Sequence, residues 1–297
     1  MQTRLPDIAP TAESVRKHVR TLAGDIGERN VWRASALAAA EDYIRREWRS
    51  LGYEVGAQRY QANGVDCANL EVVIPGASRP GEIILVGAHY DSVQGSPGAD
   101  DNASAVAALL EIARRLRGAR PARTLRLVAF VNEEPPFFFF GEMGSGVYAK
   151  AARGRGDDIR VMFSLEMLGC YSDVPGSQSY PPFLRHFYPD RGDFIAFVSN
   201  LRSRRALKSA VTAFRAVSDF PCESAALPAW VPGVSWSDQL SFWRERYAGV
   251  MVTDTAFYRY RYYHTALDTP EKVDCARLAR LTEGLAQAFL RLADRGV

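Results

Sequence analysis

The sequence predicts an α/β fold: a three-layer sandwich with a largely parallel, mixed central sheet, formed as a single domain over residues 1–297. Segments with apolar residues at helical spacing alternate along the chain with short, almost continuously apolar runs, which are typical of strands buried on both faces of a sheet. No Pro/Ser-rich linker and no repeat divides the chain. Hydrophobic residues make up 47% of it, which is enough for one sizeable core.

The N-terminal part predicts two helices and then two strands. Apolar residues recur every three to four positions and so share one helical face, and a glycine at position 52 ends the second stripe. Two short apolar runs follow, the later one ended by a Pro-Gly pair. The predicted helices cover about 15–22 and 37–51, and the strands 53–60 and 68–74.

The remaining chain alternates strands with helices, which favours a mostly parallel sheet. The clearest strand is the β-branched run that ends at His89, and the clearest helix is the C-terminal one. The predicted strands cover 82–89, 125–131, 159–168, 194–198 and 248–252, and the helices 106–116, 144–152, 201–217 and 278–292.

Composition argues against several classes of partner and location. Thirty-seven basic and 34 acidic residues leave a net charge of +3, too close to balance to indicate binding to nucleic acid or to an anionic membrane. No run approaches the ~20 apolar residues that span a bilayer. The first residues lack an apolar signal segment, so we expect a cytoplasmic protein. Four scattered cysteines, with no C-x-x-C pair, favour buried thiols; the oligomeric state is left open.

Acidic and histidine side chains follow the predicted strands, at or just beyond their carboxyl ends. Such a fold places its active site at this edge of the sheet. Two imidazoles and several carboxylates suit Zn²⁺, and five ligands that share one carboxylate can hold two metals. Helix capping is the alternative explanation for Asp100, Asp101 and Asn102, but it does not explain the histidines or the glutamate pair. The residues in question are His89, Asp91, Asp100, Asp101, Glu133, Glu134, Glu166 and His264.

Asp91 and the adjacent pair of glutamates suggest supporting or divided roles. Asp91 is too close to His89 to be an obvious second ligand of the same ion, so we expect it to accept a hydrogen bond from the other imidazole nitrogen. Glu133 and Glu134 are neighbours on an extended chain and point in opposite directions. One can therefore bind metal while the other acts as general base.

In order along the chain, these residues resemble the co-catalytic zinc aminopeptidase family, which also includes glutaminyl cyclases and glutamate carboxypeptidases. The resemblance extends over about 80–275 and implies a zinc exopeptidase-like fold. It is carried by Gly-Ala-His-Tyr-Asp-Ser at 87–92, Gly-Ala-Asp-Asp-Asn-Ala-Ser at 98–104, Asn-Glu-Glu at 132–134, Met-Gly-Ser at 143–145, and Tyr-His-Thr at 263–265 with Asp-Thr at 268–269.

The resemblance implies a two-zinc aminopeptidase acting on peptides. It assigns one zinc to His89, Asp100 and Glu166, and the other to Asp100, Glu134 and His264, so that Asp100 bridges. Glu133 becomes the base that takes a proton from the attacking water and returns it to the leaving amine. Tyr263 is a candidate donor to the developing oxyanion.

Three departures from the family pattern bear on specificity. Glu166 stands where aminopeptidases usually have Asp, and related carboxypeptidases often carry Glu there. Pro-Pro and four phenylalanines at 135–140 replace the common glycine, and equally suit a pocket or the core. Ser-Asp-Gln at 237–239 replaces Ser-Asp-His.

Other functions remain open at this point. A carboxypeptidase would need a cation, for which Arg259 and Arg261 are candidates. A glutaminyl cyclase would use one zinc on the same scaffold, and a non-catalytic binding domain would have lost its metals. A serine hydrolase is disfavoured because the nearest string to a nucleophile elbow, at 233–237, lacks its second glycine.

Overall fold

A computed structural model describes residues 12–297. The first residues, on which the expectation of no export signal rests, lie outside the described part. A single eight-stranded sheet runs through the described chain in the order β1-β2-β4-β3-β5-β8-β6-β7. Its strands are β1 (Gly56–Ala62), β2 (Val65–Ile74), β3 (Arg79–His89), β4 (Arg123–Phe130), β5 (Asp158–Glu166), β6 (Ile195–Asn200), β7 (Cys222–Leu227) and β8 (Gly249–Thr253).

The sheet is parallel at its centre and mixed toward its edges. β4, β3, β5 and β8 are parallel neighbours. β1 pairs antiparallel with β2, β2 with β4, and β6 with β8, whereas β7 is parallel to β6. Parallel strands end at the same edge, so the carboxyl ends of β3, β4, β5 and β8 lie side by side. This confirms the predicted α/β class with a largely parallel, mixed sheet.

Helices cover both faces of the sheet, and the two layers differ in size. The larger layer, α1 with α2, α3, α5 and α7, covers the face to which β3 contributes Ile84, Val86 and Ala88. The smaller layer, α4 and α6, covers the face with Ile83 and Leu85. The helices are α1 (Ala12–Val19), α2 (Ala34–Ser50), α3 (Ala105–Arg115), α4 (Gly144–Arg155), α5 (Arg204–Arg215), α6 (Gln239–Arg244) and α7 (Cys275–Arg295).

Two elements were not predicted from the sequence. β7 has the sequence Cys-Glu-Ser-Ala-Ala-Leu, which lacks the β-branched and aromatic residues that mark strands. α6 is only six residues long, too short for a helical period to show. The predicted strand at 53–60 begins at Gly56, and the predicted helix at 201–217 is shorter at both ends.

The cysteines are free thiols, as expected, and three of the four are buried. Within residues 12–297, no helix is long and apolar enough to cross a membrane.

Candidate metal centre

Five segments bring polar side chains together at the carboxyl edge of the central strands. His89 is the last residue of β3, and Glu166 is the last residue of β5. The glutamate pair follows β4, and His264 lies in the loop after β8. The fifth segment, Ala99–Ser104, leads directly into α3 and carries two adjacent aspartates.

The first group of candidate ligands surrounds the His89 imidazole. Its Nε2 lies 3.4 Å from Oδ1 of Asp101 and 3.4 Å from Oε2 of Glu166. One donor atom from each of these three residues lies within 4.8 Å of the others, which is close enough to share one ion. Oε2 of Glu133 is slightly farther from His89 Nε2, at 3.9 Å.

The second group surrounds His264. Its Nε2 lies 3.1 Å from Oδ2 of Asp101 and 3.2 Å from Oε2 of Glu134. Asp101 thus presents one carboxylate oxygen to each group. Burial opposes ionisation of this carboxyl, but the neighbouring imidazoles of His264 and His89 outweigh burial and hold its pKa below the usual range.

The sequence-based choice of Asp100 as the shared carboxylate is corrected by this geometry. Asp100 turns away from both histidines: its Oδ1 accepts a hydrogen bond from the Gly169 amide at 2.8 Å. Its side chain groups instead with Cys170 and Asp254, and burial with the nearby charges of Asp254 and Asp268 raises its pKa. Asp100 and Asp101 follow each other along the chain and point in different directions, so Asp101 takes the position between the two groups.

Asp268 and Asp91 each hold a pair of adjacent backbone amides in this centre. Asp268 accepts the Asp100 N–H at 2.9 Å and the Asp101 N–H at 3.1 Å, one on each carboxylate oxygen. Asp91 does the same for Glu133 and Glu134, both at 3.1 Å. These contacts fix the backbone from which the candidate ligands project.

The role predicted for Asp91 beside His89 is met only in part. Asp91 Oδ1 lies 3.5 Å from Nδ1 of His89, within reach of its charge. The hydrogen bonds of the carboxylate, however, go to the glutamate amides, and His89 Nδ1 has no hydrogen-bond partner among residues 12–297.

The two adjacent glutamates occupy different places, as their alternation along the chain predicted. Glu134 contacts His264, and its other oxygen accepts the Val93 N–H at 3.2 Å. Burial raises the pKa of Glu134 to about 7. Burial also raises the pKa of Glu133, to which the negative charges of Glu166 and Glu134 add while His89 opposes. Glu133 is thus a buried carboxylate beside the first group.

Tyr263 lies against the second group. Its ring stacks on the His264 imidazole, with centroids 3.8 Å apart and planes inclined by 20°. Burial and then the charges of the surrounding carboxylates raise its pKa, so the phenol remains protonated and able to donate a hydrogen bond.

The arrangement fits divalent metal ions. Both ring nitrogens of His89 and Oδ1 of Asp101 are buried, and within the described chain none has a hydrogen-bond partner. Buried polar atoms are normally paired, and imidazole nitrogen with carboxylate oxygen is the donor set that zinc accepts. Five carboxyl groups surround the two histidines at this edge of the sheet. They concentrate negative charge, which bound cations would neutralise.

Arg29 supports the centre from the N-terminal part, and sequence analysis did not identify it. Its guanidinium is fully buried and donates to the carbonyl of Tyr90 at 2.6 Å and of Gly98 at 2.8 Å. It thereby joins the loop after β3 to the turn before Asp101. Gly98 is required in that turn, because its φ is +62° and a Cβ would lie 2.4 Å from the Asp101 carbonyl oxygen.

A pocket extends from this centre along the sheet, with Glu166 and Tyr263 at one end. The phenylalanine run at 137–140 does not line it: Phe137 is buried in the core and Phe140 is 68% exposed. Ser237, from the altered Ser-Asp-Gln segment, donates to Oε2 of Glu166 at 2.6 Å.

The two arginines considered for binding a terminal carboxylate lie elsewhere. Arg259 donates to the carbonyls of Cys170 and Phe194 and to Gln178, which ties three loop segments together. Arg261 is exposed and contacts Tyr262. Neither residue lines the pocket.

Comparisons with known proteins find similar sequences and structures over most of the chain. The model of peptidase family M28 matches residues 69–289. Uncharacterized protein YfbL of Escherichia coli (strain K12) is 37% identical over 282 residues, which cover 92% of this chain and 86% of the relative. Aminopeptidase YwaD of Bacillus subtilis (strain 168) is 38% identical over 89 residues, 30% of this chain and 18% of the relative.

Among solved structures, BSAP, described as a zinc aminopeptidase from Bacillus subtilis, superposes with a TM-score of 0.76. Sequence identity is 15%, and the match covers 98% of this chain and 97% of that chain. At this identity, the likeness concerns the fold.

Proposed function

The chain belongs to peptidase family M28, as its motifs predicted, and from that membership we propose an aminopeptidase that removes N-terminal residues from peptides with two metal ions. It is a metallopeptidase of the hydrolase class. The observation that supports two metals is the Asp101 carboxylate, with one oxygen facing His89 and the other facing His264. We propose His89, Asp101 and Glu166 as one ligand set and Asp101, Glu134 and His264 as the other.

Zinc fits these donors, and when bound it would lower the pKa of water, polarise the scissile carbonyl and neutralise the clustered carboxylates. The protein holds the ligands in place beforehand. Asp91 and Asp268 fix the backbone of Glu134 and Asp101, and Arg29 fixes the loops that carry His89 and Asp101. The ligand geometry therefore rests on buried hydrogen bonds as well as on any ion.

Glu133 is suited to move the proton during hydrolysis. It lies beside the first ligand group, is buried, and has a raised pKa. A carboxylate with a pKa closer to neutrality takes a proton from the attacking water and returns it to the leaving amine more effectively than an ordinary one. Tyr263, protonated and stacked on His264, can donate its hydroxyl proton in a hydrogen bond to the developing oxyanion.

The choice of the amino end rests on charge. A free α-amine carries a positive charge, and the centre offers it the carboxylates of Glu133 and Glu166. A terminal carboxylate would require a cation, and no lysine, arginine or histidine of residues 12–297 lines the pocket that adjoins Glu166. The positions of Arg259 and Arg261 outside this pocket argue in the same direction.

The experiment compares dipeptides that are blocked at opposite ends. We expect hydrolysis of a dipeptide amide with a free amine, and none of an N-acetylated dipeptide with a free carboxylate. Glu133→Gln serves as the control that the activity belongs to this centre. Cleavage of the N-acetylated substrate alone would make the enzyme a carboxypeptidase, and ring formation by an N-terminal glutamine would make it a glutaminyl cyclase.

A further inference from the structure

The sheet face that carries Glu166 at the metal centre also carries a second carboxylate, Glu223, farther along the sheet. Glu166 on β5 pairs with Thr253 on β8, Thr253 with Ala196 on β6, and Ala196 with Glu223 on β7. Residues that pair across strands project their side chains from the same face. Glu166 and Glu223 therefore stand in one row on one face, three strand steps or about 14 Å apart.

The space between the two carboxylates is an open pocket with about 830 Å³ of empty space. Its floor is the sheet face, made of small or apolar residues. Segments 178–188, 232–236 and 255–263 supply aromatic walls, and among residues 12–297 no α-helix contributes to the lining. Floor and wall residues include Ala196, Val198, Ala225, Tyr180, Trp236 and Phe257.

Glu223 has no partner for its charge. Within residues 12–297, its carboxylate makes no hydrogen bond and no ion pair. The cation whose charge acts on it, Arg215, belongs to α5 on the opposite face of the sheet, where it donates to the thiol and carbonyl of Cys222. Burial raises the pKa of Glu223, and the charge of Arg215 opposes this.

We propose that this pocket holds the side chain of the substrate's N-terminal residue, and that Glu223 selects lysine or arginine there. This inference rests on the proposed aminopeptidase function. With the scissile bond beside Glu166, only a long side chain reaches toward Glu223, and lysine and arginine combine length with a positive charge at the tip. Their methylene stems pack on the apolar floor, and the aromatic walls favour a cation.

A neutral side chain in the same pocket leaves Glu223 unpaired while removing water from it. A buried charge without a partner is costly, and a site built around a charged hydrogen bond rejects the substrate that lacks it. The pocket should therefore separate arginine from citrulline and lysine from norleucine, pairs that match in shape or length but differ in charge.

The test measures kcat/KM for the amides or anilides of these four residues with the wild-type protein, Glu223→Gln and Glu223→Asp. We expect the wild type to prefer arginine over citrulline and lysine over norleucine by about 10-fold to 100-fold. Glu223→Gln should lose this preference, with lower rates for arginine and lysine and with rates for citrulline and norleucine that stay the same or rise. Glu223→Asp should retain part of it. Glu54→Gln, an exposed residue next to the opposite edge of the sheet, is the matched control for loss of one charge and should behave as wild type.

Two results would overturn this inference and leave the proposed function intact: norleucine hydrolysed as well as lysine, or Glu223→Gln slowing all four substrates equally. Failure of the wild type to hydrolyse any of the four, when loaded with zinc, would overturn both the inference and the proposed aminopeptidase.

Discussion

Replacing Asp268 by asparagine tests whether the main chain around Asp101 is held by this carboxylate. Each carboxylate oxygen accepts one backbone N–H, from Asp100 at 2.9 Å and from Asp101 at 3.1 Å, and Tyr260 donates its hydroxyl to Oδ1 at 2.8 Å. Asparagine is the same size but has one acceptor oxygen. Its NH₂ group must therefore face one of the two backbone donors.

The expected cost follows from this loss. One buried backbone N–H loses its acceptor, which should lower the free energy of unfolding by about 1–3 kcal/mol. Because Asp101 is a proposed ligand of both metals, displacement of its backbone should weaken zinc binding by about 10-fold to 100-fold, the usual effect of removing a residue that orients a ligand.

Zinc affinity is measured by competition with a chromophoric chelator, and stability by urea unfolding of the metal-free protein. Both are done at pH 8, above the pKa of about 6 that burial gives Asp268. Tyr260→Phe is the control, since it removes a hydroxyl and leaves both oxygens available to the amides. Zinc affinity of Asp268→Asn within twofold of the wild type would refute the reasoning.

Two further predictions concern the glutamates. Glu133→Gln should keep its metals and lose roughly 10²-fold to 10⁴-fold in kcat, whereas Glu134→Gln should lose zinc. Elemental analysis measures the zinc content and steady-state kinetics measures kcat; the reverse pattern would refute the division of roles. Glu111 on α3 is buried, but hydrogen bonds from His18 and Arg114 outweigh burial and lower its pKa to about 2. Its ionised form stabilises the fold above about pH 4.5. Glu111→Gln should therefore lower the free energy of unfolding by on the order of 2 kcal/mol at pH 7, and by progressively less toward pH 2. Urea unfolding across that pH range measures this difference.

The strands that carry the centre could be predicted because they are buried on both faces. β3, β4 and β5 are long β-branched or apolar runs, and each ends at or just before a polar residue. Once such strands are taken as parallel, His89, Glu133, Glu134 and Glu166 must meet at one edge. The sequence is informative here because a strand that is buried on both faces needs a nearly continuous apolar run, which can be recognised in the sequence.

The choice between Asp100 and Asp101 could not be made from the sequence. Both residues are buried aspartates in the same segment, and either can supply a carboxylate at this edge. What separates them is the local backbone, which aims Asp100 at the Gly169 amide and Asp101 at the two histidines. That direction depends on contacts with Asp268 and the β5 loop, far away along the chain.

Glu223 could not be predicted from the sequence for a different reason. It lies on a short strand of small residues at the sheet edge, with no motif around it. Its relation to Glu166 arises only through the pairing of four strands, so no spacing in the sequence records it. Arg29 is similar, because a single arginine between two predicted helices resembles many surface residues until its burial is known.

The central claim is that Asp101 joins two metal sites that are required for peptide hydrolysis. The most direct measurement titrates metal-free protein with Zn²⁺ while following cleavage of an unblocked dipeptide amide, for the wild type, Asp101→Asn and Asp100→Asn. We expect the metal-free protein to be inactive. The wild type and Asp100→Asn should regain activity as zinc is added, up to about two ions per chain, whereas Asp101→Asn should bind less zinc and stay inactive. Full activity without metal, or loss of zinc from Asp100→Asn with retention by Asp101→Asn, would contradict the claim.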